Sequence, residues 1–254
     1  MKILKISSLK PLNNYYGIFH SHIGTINGER VWEYSYDRLY RLVRESLEGE
    51  YFIEYEYDAF GNRLKQNHNG NITTYTYNAN DQLIEEHRPE GVIYYTWDAN
   101  GNLVKKEGLG EVWEYEWDYD NKLLRALLNG EEVVRYVYDY EGERVGKMTQ
   151  EGEIKFLVDK NNLTGYSQVF RELDGVGNEI VSYIFADDLL AQNRSGRFNF
   201  YHYDHLGSTR SLSEKTGEFI NLYDYYGFGA VQYIQKFHPN SYLFIGERYE
   251  DLLN

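Results

Sequence analysis

The chain has 254 residues, with 27 tyrosines, only 3 prolines and a net charge of −14. Tyrosine-rich, proline-poor sequence punctuated by 23 glycines favours strands and tight turns over helices. No cysteine is present, which excludes disulfide staples, thiol catalysis and cysteine-ligated zinc; the acidic balance argues against a nucleic-acid duplex or an anionic membrane surface as partner.

Residues 1–30 read as an N-terminal segment or a divergent repeat. The start, MKILKISSLKPLNNYYG, is interrupted by Lys5 and Lys10, so no signal peptide is expected, and no stretch reaches the length of a membrane helix. Within it, Phe19–His22 (FHSH) places His20 and His22 on one face of a strand, a pair more simply read as surface histidines than as metal ligands.

Residues 31–163 are periodic. An aspartate, or an asparagine in one copy, recurs at Asp37, Asp58, Asn78, Asp98, Asp118, Asp139 and Asp159, at steps of 20 or 21 residues; Asp204 and Asp224 are again 20 apart. The run before each alternates. Ile53, Tyr55, Tyr57; Thr73, Tyr75, Tyr77; Trp113, Tyr115, Trp117; and Val134, Tyr136, Tyr138 share one face. Glu54, Glu56, Glu114 and Glu116 fall on the other, so the pattern predicts a half-buried strand with one oily and one acidic face. The aspartate then opens a turn. Gly61, Gly101, Gly142 and Gly207 stand three residues on, where positive φ is required, with Asp81 and Asn121 as substitutes. A short strand follows, ending at Gly49, Gly70, Gly91, Gly110, Gly130 or Gly152. One repeat is therefore one β-hairpin, and the predicted fold class is all-β. Consecutive antiparallel hairpins would form a curved, spiralling open sheet growing about 9–10 Å per repeat. Turn and ladder residues such as Tyr57, Asp58, Gly61, Trp97, Asp98, Gly101 and Trp117 carry the architecture.

Residues 164–200 read as a divergent β segment split by a turn at Gly175–Gly177. Residues 201–254 contain YHYDHLGSTRSL and YDYYGFG. These strings, with the aspartate repeats, closely resemble the RHS/YD-repeat family and its RHS-associated core. DHLGSTR, Asp204 to Arg210, is the most specific single string. The resemblance implies a strip of hairpins spiralling into a hollow shell. In bacterial members such a shell encloses a C-terminal toxin; in animal relatives it forms part of adhesion receptors, so the resemblance points to a secreted or cell-surface setting, although the residues themselves leave localisation unknown.

Family cores continue into an Arg-Tyr-Tyr segment and an Asp-Pro motif that acts as an aspartyl autoprotease. This sequence ends at LFIGERYEDLLN, has no Asp-Pro, and carries Glu250 where the family often has Asp. The expectation is a truncated or split member, shorter than a strip that could close a cage, with open edges that promote self-association.

Chemistry finds little purchase. His202, Asp204, His205 and Ser208 can be drawn as a Ser-His-Asp set, but on a strand His202 and Asp204 take one face while Tyr203 and His205 take the other. Gly175–Gly177 lacks the context of a dinucleotide loop, and Tyr226–Val231 reads as a family turn rather than a phosphate loop. Asp187–Asp188 and Glu85–Glu86 diverge if they lie on strands. The sequence therefore nominates no catalytic, metal or cofactor-binding residues and no cofactor, and the chain is expected not to be an enzyme. The expected partners are the remaining shell or a toxin or other cargo polypeptide, with self-association through sheet edges, no nucleic acid and no membrane span. The leading expectation is a shell fragment that encapsulates or sequesters cargo. The alternatives are an extracellular carbohydrate-binding or adhesion module, or a degenerate remnant of a larger RHS toxin.

Overall fold

The computed structural model describes residues 18–25, 28–162 and 164–250. Among them are 21 β-strands and one short 3-10 turn, Phe244–Gly246. The chain divides into two compact units, residues 1–112 and 113–254.

Unit 1 holds β1 (Ile18–Thr25), β2 (Gly28–Tyr36), β3 (Leu42–Leu47), β4 (Tyr51–Tyr57), β5 (Arg63–His68), β6 (Asn71–Tyr77), β7 (Leu83–Arg88), β8 (Gly91–Trp97) and β9 (Leu103–Gly108). Each strand is antiparallel to its chain neighbour, giving an open meander of hairpins. Unit 2 contains most of β10 (Glu111–Trp117), then β11 (Leu123–Leu128), β12 (Glu131–Tyr138), β13 (Arg144–Thr149), β14 (Gly152–Asp159) and β15 (Gln168–Asp174). It continues through β16 (Glu179–Phe185), β17 (Leu189–Arg194), β18 (Arg197–Tyr203), β19 (Thr209–Ser213), β20 (Phe219–Tyr225) and β21 (Val231–Lys236), again paired in order. The fold is all-β and built of consecutive hairpins, as the period predicts.

The repeat aspartate closes the same bend each time. Asp98 N donates to Asn102 O at 2.9 Å and Gly101 N to Asp98 O at 3.2 Å. The Asp98 carboxylate accepts from the backbone of Asn100 and Asn102 and from the Asn102 side chain. Gly101 sits at φ 89°, where a Cβ would be strained, and a bulge falls just before the turn, between Thr96 and Trp97. This is a tight turn followed by a left-handed residue, which matches strand twist. Asp37, Asp58, Asn78, Asp118, Asp139 and Asp204 make the equivalent bend. At the opposite end of the hairpins, Asn69–Gly70 and Asn129–Gly130 both have positive φ, the two-residue turn that the same twist favours; Leu109 takes the asparagine's place beside Gly110, at φ 54°.

Two periodic positions depart from expectation. Asp224 lies inside β20, opposite Tyr233, and the bend begins two residues later, with Gly229 N donating to Tyr226 O. The aspartate is diverted to an ion pair, leaving Tyr226 to open the turn. Asp159 ends β14 beside Gln168, and the longer connection 160–167 replaces a tight turn. One further turn, Glu214–Gly217, opens on glutamate.

Candidate functional site

The repeat's aromatic row is the obvious surface to examine, and its polar tips have assigned tasks. The aromatic residue before the turn donates to a backbone carbonyl at the start of the short strand one hairpin earlier. Tyr57 Oη reaches Leu42 O at 2.6 Å, Tyr77 reaches Arg63 O at 3.0 Å and Trp97 Nε1 reaches Leu83 O at 2.7 Å. Tyr138, Tyr203 and Tyr225 repeat the contact with Leu123, Leu189 and Thr209. Tyrosine and tryptophan both carry a donor at the ring's far end and phenylalanine does not, which explains the choice of aromatic.

The next aromatic inward meets a second recurring position. The eighth residue after Asp37, Asp58, Asn78, Asp98, Asp118 and Asp139 is in turn Glu45, Gln66, Glu86, Lys106, Ala126 and Lys147, and these side chains share the aromatic face through strand register; further along, Glu172 opposite Phe156 and Gln192 opposite Tyr183 take the same place. Tyr75 lies directly opposite Glu86, Tyr95 opposite Lys106 and Tyr136 opposite Lys147. Tyr55 Oη donates to Glu45 at 3.0 Å, Tyr95 to Glu86 at 2.7 Å and Tyr183 to Glu172 at 2.6 Å. All three glutamates are buried. The expected oily face is therefore an aromatic face carrying polar rungs. Burial, then the neighbouring carboxylate, pushes the Tyr55 and Tyr183 hydroxyls well up; at Tyr95 burial and the hydrogen bond to Glu86 do the same. Burial pulls the Glu86 carboxyl upward, but hydrogen bonds from Arg88 and Tyr95 outweigh it and hold it below the usual carboxylate range.

The opposite face also departs from expectation. It is laced by cross-strand ion pairs rather than purely acidic: Arg44–Glu54 at 2.8 Å, Lys65–Glu56 at 2.8 Å and Arg125–Glu116 at 2.5 Å. Charges on neighbouring strands compensate one another in an exposed setting.

In unit 2 the aromatic face is covered by the chain itself. After β21 the segment 237–250 crosses the strands as a strap. His238 O accepts from Asn221, Pro239 O from Gln192, and Asn240 Oδ1 from the Tyr201 hydroxyl at 2.7 Å. Tyr242 packs edge-on to Tyr183 with centroids 5.0 Å apart, and burial pushes its hydroxyl up to about 12. Leu243 joins the core of Val181, Tyr183, Tyr201, Leu212 and Tyr223. Arg248 then donates to Glu172 at 2.8 Å with its guanidinium 4.1 Å from the Phe156 ring centre, and Glu250 pairs with Lys147 at 2.9 Å. Three rung residues, Gln192, Glu172 and Lys147, thus hold the strap.

The chemistry-bearing motifs of the sequence are dispersed. His202 bonds Ser213 at 2.8 Å and is half-buried, which holds its ring below the usual histidine value. Asp204 opens the turn that its repeat position and Gly207 predict, with His205 in that turn rather than on the strand; the Asp204 carboxylate accepts from Leu206 N and Ser208 N. Ser208 is buried, its hydroxyl accepting from Ile245 N in the strap. The four do not converge. Asp187 and Asp188 lie in the bend between β16 and β17 rather than on a strand, while Glu85 and Glu86 diverge on β7, the first toward His87. Gly175–Gly177 forms the Asp174 turn, and Tyr226–Gly229 is a turn. The side chains of His20 and His22 lie outside the described residues. Among the described residues no group of three metal-ligating side chains converges, and no helix is long and apolar enough to cross a membrane.

Hairpins repeating every 20–21 residues over residues 31–163, closed in most copies by an aromatic–aspartate turn and stitched to the previous one by the aromatic tip, define a YD-repeat protein. The chain belongs to the teneurin YD-shell family, whose model matches residues 10–248. It is 27% identical over 225 residues to the tRNA3(Ser)-specific nuclease WapA of Bacillus spizizenii, covering 85% of this chain and 9% of that protein. Among solved structures, the Photorhabdus luminescens Tc holotoxin pore aligns over 91% of this chain and 16% of its own, at 15% identity and a TM-score of 0.40. The TcdB2–TccC3–Cdc42 structure aligns over 91% and 17%, at 14% identity and 0.41. The chain thus spans a small part of the length of these relatives.

Proposed function

We propose that this chain is a non-enzymatic wall segment that sequesters a polypeptide, a toxin or other cargo, together with further shell sequence. The family supports a structural, shell-type role. The observation that carries the finer reading is the strap: an extended segment, 237–250, lies across the aromatic face of unit 2 and satisfies its polar rungs. A face that holds one extended polypeptide by repeated rungs is suited to hold others. The polar tips of Tyr57, Tyr77, Trp97, Tyr138, Tyr203 and Tyr225 are committed to neighbouring hairpins, a building role rather than one of turning over substrate.

The test is protease protection. A permanently unfolded probe polypeptide, mixed with the intact chain, is expected to survive limited proteolysis longer than with an equal mass of an inert acidic protein. Cleavage at the same rate in both mixtures would overturn the reading.

A further inference from the structure

The strap's arginine identifies a site with a counterpart elsewhere. In unit 2, Glu172 lies opposite Phe156 on the neighbouring strand, accepts the Tyr183 hydroxyl, and binds Arg248 over the Phe156 ring. In unit 1, Glu86 lies opposite Tyr75 and accepts the Tyr95 hydroxyl at 2.7 Å. The frame of two aromatics around one carboxylate is the same. The cover differs. Tyr183 is 5% exposed beneath the strap, whereas Tyr75 and Tyr95 are only half-buried. A depression of about 430 Å³ lies over this part of unit 1, lined by Gln66, His68, Thr73, Tyr75, Glu86 and Arg88 among others.

Glu86 also takes its guanidinium from its own strand. Arg88, two residues on, donates Nε at 2.7 Å and remains 39% exposed, while the residue two beyond Glu172 is Asp174. A carboxylate that already accepts one tyrosine hydroxyl keeps a lone-pair side suited to a forked, planar donor, and flanking rings favour a guanidinium over an ammonium. Arg88 fills that place from the rim of the depression. We propose that the face of unit 1 over β5–β9 is a binding track for an extended, arginine-bearing segment of a partner polypeptide. The partner's guanidinium exchanges with Arg88 on Glu86, as Arg248 sits on Glu172. Gln66 and Lys106, at the rung positions one repeat to either side, take the segment's backbone carbonyl and a carboxylate, the roles Gln192 and Lys147 play for the strap. This rests on the reading of the chain as a wall that holds polypeptide, and names the chemistry of what is held.

The experiment uses the intact chain and a fluorescent peptide with the sequence of residues 237–250, followed by anisotropy. Saturable binding is expected. Glu86→Gln should weaken it about tenfold, the scale of one charge-assisted hydrogen bond, and Arg88→Ala should tighten it by removing the competitor. Replacing the peptide's arginine by glutamine should weaken binding to the unaltered chain and leave the Glu86→Gln chain nearly unaffected. Binding indifferent to Glu86→Gln, no tightening with Arg88→Ala, or no saturable binding would each overturn the track. So would sensitivity that moves to Glu172→Gln, because the peptide would then be displacing the strap. Arg88 is a surface residue, so its variant is not confounded by misfolding. Normal protection of the unfolded probe alongside indifference to Glu86 would sink this inference alone; loss of protection would sink the sequestering role as well.

Discussion

The hairpins over β6–β8 in unit 1 and over β16–β18 in unit 2 are built alike, but their tyrosine rows end in different states. Tyr75 and Tyr95 are half-buried over β6–β8, while Tyr183 and Tyr201 are 5% and 7% exposed under the strap. The difference does not come from the hairpin, whose stitching bonds and tyrosine–glutamate contact are alike in the two stretches. It comes from what crosses the face. Periodic sequence lays down a surface with spaced polar rungs, and an aperiodic segment decides which rungs are occupied.

Cutting the strap's anchor should separate the two units most sharply. Arg248 and Glu172 have side chains only 11% and 6% exposed, so Arg248→Ala leaves a buried carboxylate without its cation and should destabilise unit 2 by about 3–5 kcal/mol. The matching change in unit 1, Arg88→Ala, should cost less, about 1–2 kcal/mol, because Glu86 is buried but Arg88 is 39% exposed, so water can take its place at the carboxylate. Urea denaturation read by tryptophan emission and hydrogen exchange would measure both. Equal effects would mean that the strap adds nothing beyond a surface ion pair.

Turn geometry sets the next scale, and it should be felt alike in both units. Gly101→Val forces a branched side chain to φ 89° and should cost about 1–2 kcal/mol or more, as should Gly207→Val at φ 82°. Tyr57→Phe removes one stitching bond to Leu42 O and should cost about 1 kcal/mol. Leu109→Asn should work in the opposite sense. Leu109 holds φ 54°, which asparagine tolerates better, so thermal unfolding should shift upward by the equivalent of about 1 kcal/mol.

Much of this architecture is legible in the amino-acid order, for a physical reason. A hairpin is a local object, so its aspartate, its glycine and its alternating aromatics recur at fixed offsets. Identity of letters can still mislead: Asp224 follows Tyr223 as the pattern asks, yet Arg210 at 2.5 Å keeps it within β20 and Tyr226 opens the turn. As far as Asp139 the polar rungs were there to be found at the eighth position after each aspartate; beyond it Glu172 and Gln192 keep the place by register alone. They were hidden because glutamate, glutamine, lysine and alanine alternate there, so geometry rather than residue type is the constant. The strap was not legible at all. Its contacts span 47 residues from Gln192 to Pro239 and 103 from Lys147 to Glu250, and no local periodicity records them.

The smallest expected effect concerns acid. Side-chain hydrogen bonds, foremost from Asn102, Lys160 and Asn178, hold the Asp98, Asp139 and Asp174 carboxyls below the usual value. A carboxyl depressed in the folded state adds stability that is complete above its unfolded pKa and is lost as pH falls through the folded one. Unfolding should therefore ease below the ordinary carboxylate range. Asp98→Asn, which Asn78 shows to fit the bend, should flatten that limb, as followed by circular dichroism from pH 6 downward. An unchanged acid limb would remove the turn carboxylates from the account.

Tyrosine modification under native conditions, located by mass spectrometry, tests the contrast between the two faces most directly. Tyr75 and Tyr95 should react well ahead of Tyr183 and Tyr201. Equal rates at all four, or faster reaction at Tyr183, would contradict a strap that closes the row over β16–β18 while the row over β6–β8 stays open.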